Sequence, residues 1–377
     1  MARTIFYVFA VLFVIQPFYG QNTKFKTGTP TPKSYYTEVK YEDVNGKIVV
    51  PVSINNTTYK FLFDTGAPNV ISSEIYDALN IDTSKSISVS DANNNKQSMK
   101  HTLIPNLTIG GVTFKNSSAL VFESGNSLVF DCFEINGIIG TNLMRKSIVQ
   151  ILSKDQIIVM TNKNKEIDLN KKDAMELELH GRQSSPYITV KLMGKNKAKE
   201  RLLIDTGASG FYDMCKKNYT LLKEKKILNE LGNGSGASSL GLFGEDEESS
   251  QYRLKVPIMD IAGHEFKNVI TTTGNDDNSR IGSDILKYGT MTLDFRNKRF
   301  YFDSLEKEND LNEKLFGFTP TIGGNKVIVG IVWNKDLKKE MKFGDEIVKV
   351  NDIDFTNLNL CDLITMTSPF KNAQAIK

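Results

Sequence analysis

One stretch of this chain is written twice, and that repetition limits what it can fold into more than any other property. Residues 46–68 read GKIVVPVSINNTTYKFLFDTGAP and residues 184–209 read SSPYITVKLMGKNKAKERLLIDTGAS. Each copy has an alternating apolar strand (Ile48 to Ile54; Tyr187 to Leu192), then a turn rich in Asn, Gly or Lys. An apolar strand then returns and runs into Asp-Thr-Gly-Ala. Both copies therefore predict a β-hairpin.

The likeness continues downstream. LIPNLTIGGVTFKN (103–116) matches VPIMDIAGHEFKN (256–268), and GIIGTNLMRKSIVQILSKDQIIVM (137–160) matches RIGSDILKYGTMTLDFRNKRFYFD (280–303). Each late segment reads as an apolar-apolar-Gly turn, a short helical piece and two closing strands. Gly140 follows Asp64 by 76 residues and Gly282 follows Asp205 by 77, so a duplicated unit is implied. The expected fold is mainly β. It has two lobes, at residues 38–162 and 176–304, related by an internal pseudo-twofold repeat and joined by the polar connector TNKNKEIDLNKKDA.

Paired Asp-Thr-Gly motifs suit one kind of chemistry. Peptide hydrolysis without metal or covalent nucleophile needs a base to deprotonate water and an acid to polarise the carbonyl. Two carboxyl groups held together share a proton and supply both roles. Gly66 and Gly207 would let the two loops approach closely, and the hydroxyls of Thr65 and Thr206 could each bond across to the opposite loop. The bland alternative is a pair of Asx turns, but that would not require identical Asp, Thr, Gly and Ala in both copies.

These residues, with Gly137–Leu143 (GIIGTNL) and Ile281–Leu286 (IGSDIL), resemble the retropepsin-like and pepsin-like aspartic proteases. The likeness is greatest to the two-lobed retropepsin-like proteases exported by bacteria of the Bacteroidetes group. The resemblance implies an acid-protease β-barrel fold with Asp64 and Asp205 as the catalytic dyad. Thr65 and Thr206 would brace the dyad, while Gly140 and Gly282 would pack beneath the active-site loops. It also implies a mobile flap, with candidates at Val89–Leu103 and Leu240–Leu254. Ala67 and Ala208 stand where pepsin-like lobes often carry a hydroxyl. Losing a hydrogen bond to the charged dyad predicts activity at mildly acidic to neutral pH.

The rest of the chain qualifies this reading. Residues 1–20 have Arg3, an apolar run from Ile5 to Ile15, Pro17 and Gly20, the layout of a cleaved secretory signal peptide. The run falls short of the ~20 residues that a spanning helix needs. An exported protein in the periplasm, cell envelope or medium is expected.

Cys132, Cys215 and Cys361 are three and widely spaced; two could pair, but free buried thiols are the default expectation. His101, His180 and His264 are scattered, so no metal and no cofactor are expected. A net charge of +3 with no Lys/Arg stripe argues against nucleic acid. Gly232–Ala237 (GNGSGA) lacks the order of a serine-protease motif and reads as a flexible Gly/Ser loop.

Residues 315–377 change character. Gly344 to Asn351 (GDEIVKVN) resembles the central signature of PDZ domains, with Gly317 and Phe318 as the loop that would hold a peptide C-terminus. A strand at Lys326–Trp333 and a helix at Asn359–Met366 would complete a peptide groove. The final strand has no counterpart before Lys377, so a truncated PDZ-like domain is expected. The leading expectation is an aspartic endopeptidase acting on protein or peptide substrates. Its rival is a catalytically silent peptide-binding protein working through the PDZ-like segment.

Overall fold

The structure, a computed structural model, describes residues 25–81, 85–123, 125, 127–366 and 369–372. The expected signal peptide, 1–20, lies outside them. The fold is mainly β. Among the described residues no helix is long and apolar enough to cross a membrane.

The repeat is built as two like sheets. In the first lobe, Lys47–Ile54 pairs antiparallel with Thr57–Phe63, the strand that delivers Asp64. Asn55 and Asn56 turn the hairpin with φ of 49° and 63°, values Asn tolerates and the right twist for a two-residue turn. In the second lobe, Ser185–Met193 pairs antiparallel with Lys197–Ile204, which delivers Asp205. Each lobe adds a long hairpin, Lys96–Ile109 with Val112–Phe122 and Ser249–Ile261 with His264–Gly274. Gly110-Gly111 and Ala262-Gly263, all at positive φ, make the corresponding turns.

A short strand then slips between two others in each lobe. Gly137–Ile139 runs parallel to the Asp64 strand and antiparallel to Val70–Ser72. Arg280–Ile281 does the same beside the Asp205 strand and Tyr212–Cys215. Side chains beneath are closely packed: Phe61, Phe63, Leu202 and Ile204 are at most 1% exposed. Truncating one of these phenylalanines to Ala costs about 3–5 kcal/mol.

The closing strands do not stay within their lobes. Ile148–Leu152 pairs with Gly289–Asp294, so one six-stranded sheet among the described residues is shared by both halves.

The C-terminal segment has its own small core around Phe318, Val329, Ile347, Val350 and Phe355. Its hairpin, Phe318–Gly323 with Lys326–Val332, extends the second lobe's sheet through Asn229–Gly236. That corrects the expectation of a flexible loop at Gly232–Ala237. Glycine is needed there because backbone passes close by: a Cβ at Gly234 would lie 2.6 Å from the Val332 carbonyl, and one at Gly236 would strike Gly330.

The cysteine expectation is also corrected. Cys132 and Cys361, 229 residues apart, form a disulfide with their Cα atoms 4.6 Å from each other, and Cys215 stays free and buried. Helix Leu128–Cys132 of the first lobe and helix Leu360–Thr365 meet there, and Asn45 Nδ2 donates to the Ile364 carbonyl. Sequence distance hid the pairing, because only the docking of the C-terminal segment makes these two thiols neighbours.

Candidate active site

Asp64 and Asp205 each leave the end of a strand and are turned inward by the same device. Asp64 N donates to the Ile139 carbonyl at 3.0 Å, and Asp205 N to the Ile281 carbonyl at 2.9 Å. Thr141 N and Ser283 N cap the loops from below by donating to the Ala67 and Ala208 carbonyls. This approach explains Gly140 and Gly282. A Cβ on Gly140 would collide with the Ala67 and Pro68 backbone, and one on Gly282 would lie 2.5 Å from the Gly210 carbonyl.

The two loops interlock through their threonines. Thr65 Oγ1 donates to the Ile204 carbonyl (2.7 Å) and accepts from Thr206 N (3.0 Å). Thr206 Oγ1 donates to the Phe63 carbonyl (2.8 Å) and accepts from Thr65 N (3.1 Å). Both threonines are at most 1% exposed, so no water competes for these four bonds. A second reciprocal pair lies outside the first. Lys47 Nζ reaches the Gly207 carbonyl and Gln183 Nε2 donates to the Gly66 carbonyl (3.0 Å). Each loop is thus held by a side chain from the other half.

Within this frame the two carboxyl groups lie close enough to act on each other's ionisation. The absence of side chains at Gly66 and Gly207 makes this possible. A Cβ on Gly66 would lie 2.5 Å from Asp205 Cγ, and one on Gly207 would overlap the Asp64 carboxylate.

Their surroundings differ. Asp64 Oδ1 accepts one backbone bond, from Gly66 N at 2.7 Å. Asp205 Oδ1 accepts two, from Gly207 N and Ala208 N, both at 3.1 Å, and its Oδ2 accepts from Arg280 Nη1 at 3.0 Å. Asp64 keeps some solvent contact. Nevertheless burial deep in the cleft, with the neighbouring Asp205 charge second, pushes its carboxyl up to about 7. The two carboxyl groups titrate as one pair, and the Arg280 guanidinium lies on its Asp205 side.

Four charged neighbours were not singled out from the sequence. Arg280 pairs with Asp205 and, through its other nitrogen, with Asp276. It occupies the strand position where the first lobe has Ile138, so the apolar-apolar-Gly reading of the second copy is wrong at its first residue. A charge inside an otherwise apolar strand was the available signal. Asp213 lies near Arg280, Asp205 and Lys47, and burial raises its carboxyl to about 6. Burial lowers the Lys47 ammonium, against the attraction of Asp205 and Asp64.

Both flap candidates form hairpins. Ser86–Ser90 pairs with Lys96–Ile109, with its tip at Asp91–Asn95, and Leu240–Gly241 pairs with Gly244–Glu245. The acidic run that follows is mostly exposed, but Glu245 accepts from Gly324 N and Glu248 from Ser235 Oγ. Gly317 and Phe318 stay in the C-terminal segment. The Gly317 carbonyl accepts from Trp333 N and Asn334 N, and Phe318 is buried against Phe370.

Residues 50–143 match the family model of aspartyl proteases, a span that holds the Asp64 loop and the Gly140 turn. No curated protein matches the chain. Among solved structures, a retropepsin-like aspartic protease from Rickettsia conorii is similar at 18% identity. That comparison covers 34% of this chain and 92% of the other, with a TM-score of 0.26.

Proposed function

We propose that this chain is an aspartic endopeptidase of the two-lobed, retropepsin-like kind, with Asp64 and Asp205 as its catalytic dyad. The observation that carries the reading is the reciprocal threonine lock, which holds the Asp64 and Asp205 loops together. Water held between them would lose a proton to Asp205 as its oxygen attacks the scissile carbonyl carbon. Asp64 would give its proton to the carbonyl oxygen, forming a neutral tetrahedral diol. Collapse would pass the proton on Asp205 to the leaving amine and return the hydroxyl proton to Asp64.

The aspartyl protease match supports a peptidase acting on protein or peptide. The apolar run at residues 5–15 supports export, and the Cys132–Cys361 disulfide suits an oxidising compartment. For the C-terminal segment we propose PDZ-like recruitment of a peptide. Strand Phe318–Gly323 lies at the end of its sheet's strand order and offers an edge to which a peptide strand can add.

The test is cleavage of an unstructured protein by the wild type, Asp64→Asn and Asp205→Asn across pH 3–8. Cleavage that either substitution abolishes supports the reading; activity surviving both substitutions overturns it. An inert wild type that still binds peptides favours the rival binding function.

A further inference from the structure

Beside the dyad, the first lobe carries an apolar surface whose present occupant comes from the second lobe. Its floor is buried: Leu120, Phe122 and Phe130, the two rings stacked at 4.8 Å, with Met99 and Val70. Ala67, three residues after Asp64, packs on the same cluster, as do Ile87 and Val89 from the inner face of the flap strand. Floor, flap strand and active-site loop thus share one apolar cluster.

Leu242 and Phe243, both half-buried, pack against it from the second lobe. They are the two tip residues of the Leu240–Gly241/Gly244–Glu245 hairpin, and the Phe243 ring lies 6.5 Å from Phe122 with 9° between their planes. A two-residue turn is an unfavourable place for two large apolar side chains unless they dock.

The flap tip holds this hairpin by polar contacts. Asp91 Oδ1 accepts from Asn93 N and Asn95 N, which shapes the tip, while Oδ2 accepts from Phe243 N at 3.0 Å. Asn93 Nδ2 donates to the Gly244 carbonyl, Asn95 Nδ2 to the Glu245 carbonyl, and Ser239 Oγ to Asn93. Gly241 permits the approach, since a Cβ there would strike Asp91. These contacts are exposed or only part-buried, so water can replace them when the hairpin lifts.

We propose that Leu242-Phe243 is an intramolecular occupant of a substrate subsite, holding the cleft closed. When the hairpin withdraws, the same surface takes one large apolar side chain, aromatic or branched aliphatic, from an extended peptide. The proposal rests on the endopeptidase reading for its substrate. Its own content is competition between Phe243 and the peptide.

The experiment separates the two. In the full chain carrying Asp64→Asn, binding of a fluorescein-labelled unstructured peptide with one Phe is followed by anisotropy, beside the same peptide with Ser in that place. Phe243→Ala should bind the Phe peptide about tenfold more tightly, because the competent state is then more populated, with little change for the Ser peptide. Asn95→Ala, which removes a contact to the Glu245 carbonyl and leaves Asp91 and Phe243 in place, should move affinity in the same direction. Phe243→Trp should not tighten binding.

With Asp64 restored, Phe243→Ala should lower KM more than it changes kcat. Equal or weaker binding of the Phe peptide by a folded Phe243→Ala, or tightening that is the same for both peptides, overturns the proposal. If no variant cleaves anything, the peptidase reading fails while the anisotropy comparison still decides this one.

Discussion

Arg280 Nη1 donates to Asp205 Oδ2 at 3.0 Å, from the strand position that Ile138 fills in the first lobe. A nearly symmetric frame thus carries an asymmetric charge. The side chains of Arg280 and Asp205 are 9% and 10% exposed, so bulk water screens the pair weakly. A cation held there favours the negatively charged form of the pair, against the burial that favours the protonated form.

Replacing Arg280 by Met should therefore move the acidic limb of the kcat/KM–pH profile upward, by about 1–3 pH units on the usual strength of such a contact. Arg280→Lys should move it less. A pH–rate profile with an unchanged acidic limb in Arg280→Met would show that the guanidinium does not tune the dyad.

Stability should also depend on pH with a definite sign. Folded Asp64 keeps its proton up to about pH 7, whereas the unfolded group releases it near the ordinary carboxyl value of 3.8. Asp213 behaves alike, with its folded value about 6. The folded state then binds more protons between about pH 4 and 7, so stability falls as pH rises through that window. Asp64→Asn should raise Tm at pH 8 and flatten the fall; thermal melts at pH 4.5 and 8 check this.

Thr65→Val and Thr206→Val each remove a hydroxyl that makes two buried bonds and leave a carbonyl and an N–H without it. Each should cost about 1–3 kcal/mol. The double variant should cost less than their sum, because one network is lost rather than two. Urea denaturation of the three variants measures this.

Gly207→Ala should abolish cleavage, because its Cβ would overlap the Asp64 carboxylate. Circular dichroism should stay near that of the wild type, since the clash is with the Asp64 side chain, which can turn away while the strands stay in place. Full activity in this variant would show that the loops are not packed as described.

Peptide mapping without reductant should recover one Cys132–Cys361 cross-link and an alkylatable Cys215 after unfolding. Closing a loop of 229 residues is worth about 5 kcal/mol at most by chain entropy. Cys361→Ser should therefore lower Tm measurably.

Much of the site was legible because identical local sequences impose identical local structure. Asp64, Thr65, Gly66 and their partners at 205–207 stood out through repetition, and so did Gly140 and Gly282. Hairpins were legible from alternation and from turn residues such as Asn55-Asn56. Arg280 was not, because a repeat draws the eye to what is the same in both copies. Lys47, Gln183 and Asp213 carry no motif at all; they matter through what lies across the cleft.

The sequence by itself determined the two hairpin-borne Asp-Thr-Gly loops, their glycine-requiring turns and the β character of both halves, since all of these depend on periodicity and backbone stereochemistry over short spans. Only the tertiary structure decided which loop meets which, that Arg280 lies against one side of the aspartate pair, that the closing strands share a sheet, and that Cys132 joins Cys361. It alone brought Phe243 onto Phe122. Those outcomes depend on distances between residues far apart in the chain, and local preference carries no information about such distances.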